Sequence, residues 1–70
     1  MEFDEKRLQA QMVLCGISVE KLSELLGINK STFYRKIKNN GDFSRVEILK
    51  MIDILKIDDP ISIFFSDNVA

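Results

Sequence analysis

Eight residues between positions 29 and 39 concentrate the polar chemistry of this chain: Asn29, Lys30, Ser31, Thr32, Tyr34, Arg35, Lys38 and Asn39. Their amides, hydroxyls, guanidinium and ammonium groups are donors suited to phosphate oxygens and to the edges of nucleic-acid bases. Residues 29–40 hold four basic side chains, Lys30, Arg35, Lys36 and Lys38, and no acidic one. The whole chain of 70 residues is formally −1, with 10 basic and 11 acidic residues, so bulk charge makes no case for a polyanionic partner. A basic segment on an acidic body does concentrate positive potential where phosphates would lie. The competing interpretation is an ordinary solvated face.

Catalysis has little to work with. The chain has no histidine, its single cysteine Cys15 has no base to activate it, and no glycine-rich phosphate loop is present. The carboxylates Asp58 and Asp59 are adjacent but fit helix capping at a solvated surface. One cysteine cannot form an internal disulfide, and no cysteine or histidine spacing suggests a metal site. No enzyme activity, cofactor or metal is therefore expected, and Cys15 is expected to pack as a small buried residue.

The elements that must present the polar cluster are legible from caps and periodicity. Residues 18–38 read as two short helices around a tight turn at Gly27. Ser18 is a natural N-cap, and Val19, Leu22, Leu25 and Leu26 form an apolar stripe expected to be buried. Gly27 stops the helix, Ile28 pins the turn to the core, and Asn29 caps the next helix. There Phe33 and Ile37 fall four apart on an inward face, while Ser31, Tyr34, Arg35 and Lys38 point outward. Ser23 is small where the second helix must cross the first.

The flanking sequence completes an all-α bundle of five helices. Residues 4–15 form the first, opened by Asp4, with Leu8, Met12 and Cys15 inward, Phe3 covering one end and Gly16 ending it. Residues 39–42 are a turn. Ser44 with Glu47 forms a capping box, and Phe43 with Ile48 a hydrophobic staple. Ile48, Met51, Ile52 and Leu55 share one face of the fourth helix. Pro60 suits the first turn of a short fifth helix, followed by Ile61, Phe64, Phe65 and a polar exit of Ser66, Asp67 and Asn68. At 46% hydrophobic and 30% charged the composition is that of a globular chain, and its length fits a single domain. No run approaches the roughly 18 apolar residues of a membrane span, and no signal peptide is evident, so a cytoplasmic location is expected.

Residues 18–38, above all Leu26-Gly27-Ile28-Asn29-Lys30-Ser31-Thr32-Phe33-Tyr34-Arg35-Lys36-Ile37, resemble the helix-turn-helix of the Cro/CI-type (XRE-like) regulators of phages and bacteria. The short length and the ending Ile63-Phe64-Phe65 are similar to small phage-encoded Cro-like proteins. The resemblance implies a lambda-repressor-like DNA-binding domain and transcriptional regulation, with the second motif helix in the major groove of operator DNA. It implies that Ser31 and Tyr34 meet bases or nearby phosphates, and that Arg35 meets a guanine edge or a phosphate. Lys30, Thr32 and Lys38 would hold phosphates, Asn29 would cap the helix beside them, and Asn39 and Asn40 would add contacts from the following turn. The chain departs from the family at two places. Val19 stands where the family has a phosphate-gripping glutamine, and Lys36 stands where an apolar residue usually follows Arg35, so a rotated or shifted seat for this helix is expected.

Two partners are expected beside DNA. A module this small covers only about 600–1,000 Å² of DNA, so useful specificity favours a homodimer on a two-fold site. The alternative is a small modulator or antirepressor that binds a partner repressor protein. Residues 60–69 place Ile61, Ile63, Phe64 and Phe65 within five positions, with Ile63 expected to point away from the other three. At least one of Phe64 and Phe65 is expected in the core, with the remaining apolar surface left for association.

Overall fold

Every helix among the described residues begins where a short polar side chain can take the place of a missing backbone partner. The computed structural model describes residues 2–65; the polar exit from Ser66 to Asn68 and the rest of the expected 60–69 segment lie outside the described residues. Among those described there are five helices and no strand: α1 (Glu5–Cys15), α2 (Val19–Leu26), α3 (Lys30–Lys38), α4 (Arg45–Ile54) and α5 (Pro60–Phe64). Asp4, Ser18, Asn29, Ser44 and Asp59 each accept a first-turn N–H through the side chain. At α4 the capping box is complete, with the Glu47 N–H donating to Ser44 Oγ at 3.1 Å and the Ser44 N–H to Glu47 Oε1 at 2.8 Å.

The helices close on one core. Leu8 of α1, Leu22 of α2, Phe33 of α3 and Met51 of α4 are all buried, with Leu55 just after α4. Phe33 and Ile37 both face inward, so α3 sits on the apolar face that periodicity selects. An aromatic cluster seals one end. The Phe3 ring lies 6.0 Å from those of Phe43 and Phe64, and Phe43 lies 5.6 Å from Phe33. Two backbone N–H groups fasten the start of the chain there, Phe3 N–H donating to the Asn40 side-chain Oδ1 at 3.0 Å and Asp4 N–H to the Ile63 carbonyl at 2.7 Å. Gly41, at φ +69°, runs directly beneath the Phe3 side chain, where any Cβ would overlap it.

Three packing expectations are corrected. Leu25 is 41% exposed, because the inward side of α2 is shared by Leu22, Leu26 and the small Ser23, with Leu25 beyond its edge. In α5 the buried pair is Ile63 and Phe64, while Ile61 (66%) and Phe65 (40%) are exposed. The Asp4–Ile63 bond and the Phe3–Phe64 contact set the roll of this one-turn helix, which sequence spacing alone leaves free. Cys15 is half-buried rather than enclosed, with its Sγ donating to the Leu55 carbonyl at 3.2 Å.

Candidate nucleic-acid interface

The outer face of α3 is fixed at both ends before any side chain on it is considered. At its start Asn29 Oδ1 accepts the Thr32 N–H at 2.7 Å, which ties this oxygen to the cap and leaves the amide N–H groups as donors for a ligand. The turn entering it, Gly27 to Asn29, needs Gly27 at φ +76°, a left-handed conformation that side-chain-bearing residues adopt at a cost. At its end the Lys36 carbonyl accepts the N–H groups of Gly41 and Asp42, at 3.0 and 3.1 Å, as the chain turns through Asn40 and Gly41 with positive φ.

Between these anchors Asn29, Lys30, Ser31, Tyr34, Arg35, Lys38 and Asn39 are exposed, and Thr32 is half-buried. Tyr34 is 46% exposed and lies edge-on to the Phe33 ring at 6.2 Å, which braces it against the core. The four cations of this segment are not equivalent. Lys30 Nζ lies 3.4 Å from Glu20 Oε1 of α2 with both side chains well exposed. Lys36 Nζ lies 2.9 Å from Glu47 Oε1 of α4, with only 20% and 12% of the two side chains exposed. Arg35 and Lys38 pair with no carboxylate among the described residues.

Glu47 is the residue whose second role sequence reasoning missed. It is recognisable as the acidic member of a capping box, but the same Oε1 also takes the Lys36 ammonium. Burial pushes its carboxyl upward, and the Ser44 N–H, the Lys36 ammonium and the Ser44 hydroxyl together outweigh that, holding the pKa below the ordinary glutamate value. The available signal was a lysine at an apolar position of α3 together with a glutamate in the first turn of the next helix.

No cluster of histidine, cysteine, aspartate or glutamate that could hold a metal ion exists among the described residues, and none of their helices is long and apolar enough to cross a membrane. Comparison with protein-family models, with curated proteins and with solved structures gives no match.

Proposed function

We propose that this chain is a phage or bacterial transcriptional regulator that binds operator DNA through α3, the second helix of a helix-turn-helix formed with α2. One observation carries the proposal: α3 buries Phe33 and Ile37 and turns outward a surface on which Arg35 and Lys38, without a carboxylate partner among the described residues, lie beside Ser31 and Tyr34. In the major groove the N-terminal part of α3 meets base edges through Ser31 and Tyr34, and Arg35 offers a bidentate donor to guanine or to a phosphate. Lys30, Thr32 and Lys38 serve the phosphates, with Asn29 and Asn39 at the helix ends. The protein acts as a homodimer on a two-fold site, and Ile61 and Phe65 give the exposed apolar surface for that association.

A second reading rests on a separate observation. Val13 and Leu14, at the end of α1, are 79% and 80% exposed. Adjacent large apolar side chains so fully in water suit a protein partner, and such a chain acts as a modulator or antirepressor that binds a neighbouring repressor. Binding to the DNA that flanks its own gene, measured with and without the neighbouring repressor, separates the two. Retention of that DNA by the chain alone supports the operator reading. Binding only to the repressor supports the second.

A further inference from the structure

Resting on the DNA-binding reading of α3, we infer that Glu20 and Glu47 set how many phosphates the chain can hold. Glu20 yields Lys30 to a phosphate, Glu47 withholds Lys36, and Arg35 and Lys38 face the DNA without a competing carboxylate among the described residues.

The two ion pairs differ in what it takes to break them. The Lys30–Glu20 pair is at 3.4 Å with side chains 53% and 78% exposed. An exposed pair of this kind is held by about 0–1 kcal/mol and is screened by salt. A phosphate brought close by the neighbouring cations replaces Glu20 with little loss, because the released carboxylate returns to water. The Lys36–Glu47 pair is at 2.9 Å with side chains 20% and 12% exposed. Moving Lys36 to a phosphate would leave a charged, mostly enclosed Glu47 without its counterion, which is the costly way to break such a pair. Glu47 cannot follow the lysine, since the same oxygen accepts the Ser44 N–H at 2.8 Å and belongs to the α4 cap. The backbone of Lys36 is held as well, by the Gly41 and Asp42 N–H groups on its carbonyl. Lys36 is therefore a positioning residue that seats α3 against α4, although its charge sits in the same segment as the DNA-facing cations. Glu47 acts as an internal stand-in for a phosphate. This allocation keeps sequence-independent attraction low in a chain whose net charge is −1.

The test is the salt dependence of binding to a short duplex of arbitrary sequence, followed by fluorescence anisotropy over a range of KCl concentrations. Each phosphate neutralised by a protein cation contributes a slope of about −0.9 in log K against log salt. Lys30→Met is expected to flatten the slope by about 0.9, and Lys36→Met to leave it at the wild-type value. Glu47→Gln keeps an oxygen for the Ser44 N–H while removing the charge that holds Lys36, and is expected to steepen the slope by about 0.9. Flattening by Lys36→Met equal to that of Lys30→Met overturns the inference, as does a Glu47→Gln slope identical to wild type. Wild-type protein with no affinity for the duplex at low salt is a different result, and defeats the DNA reading itself.

Discussion

Lys36 Nζ meets Glu47 Oε1 at 2.9 Å, so an ammonium from α3 closes onto the carboxylate that also caps α4. Two successive helices are thereby joined at one oxygen as well as by their loop. The loop between them, residues 39–44, is held at its start by the Lys36 carbonyl and at its end by this carboxylate. Protonation of Glu47 would weaken the cap and the inter-helix pair together.

Acid should therefore destabilise the fold through this residue. The folded Glu47 pKa lies below its ordinary value, so the unfolded chain takes up the proton first as pH falls. Its stabilisation is present in full above the unfolded glutamate pKa and is lost as pH drops through the folded one. Glu47→Gln should be less stable than wild type at neutral pH, and the gap should narrow in acid. Thermal melts of both proteins across that window check this, and parallel curves would contradict it.

Phe33 is 2% exposed and packs against Phe43 at 5.6 Å, which makes it the main anchor of α3. Phe33→Ala should cost about 3–5 kcal/mol. A chain of this size is expected to have about 4–10 kcal/mol in total, so this loss should leave a large unfolded fraction in urea titrations. A mutant as stable as wild type would show that the seat of α3 does not depend on this ring.

Ser23 presents the opposite case. It is 2% exposed and its hydroxyl has no hydrogen-bond partner among the described residues. An unpaired buried hydroxyl costs on the order of 1–3 kcal/mol, and alanine is also the better helix former. Ser23→Ala should raise the melting temperature by about 4–8 °C if it recovers about 1 kcal/mol. Calorimetry of the two proteins decides the matter, and a lowered melting temperature would count against it.

The exposed cations yield a prediction specific to the proposed function. Arg35→Ala should cost about 1–3 kcal/mol on a specific operator and relax discrimination if the guanidinium reads a base. Lys38→Ala should weaken all sequences alike and reduce the salt slope by about one unit. Anisotropy titrations on the operator and on scrambled DNA separate these behaviours. Folded mutants that bind both DNAs as wild type does would remove α3 from the interface.

What could be read without coordinates follows from the range of the interactions involved. Ser18, Gly27, Asn29 and the Ser44–Glu47 box act within one turn of chain, so helix boundaries were legible to within a residue. Phe33 and Ile37 could be placed because they share one helical face. Leu25 could not, since an eight-residue helix rich in leucine offers more apolar positions than its neighbours can cover. The roll of α5 and the Lys36–Glu47 pair were hidden for another reason: each depends on residues distant in sequence meeting in space. The outward position of Tyr34, Arg35 and Lys38 follows from periodicity, but the different availability of the four cations follows only from where Glu20 and Glu47 sit.

The clasp around Phe3 has a consequence in time. α2 and α3 are adjacent along the chain and need only a three-residue turn to meet. Phe3 must instead find Asn40, Phe43 and Phe64, the first of them 37 positions away. Closing such long loops demands entropy before any contact rewards it, so the clasp should form after the rate-limiting barrier has been crossed. Phe3→Leu should then leave the refolding rate nearly unchanged and quicken unfolding, a difference that stopped-flow measurements in urea can resolve. The aromatic clasp would govern how long each folded molecule survives rather than how fast it is made.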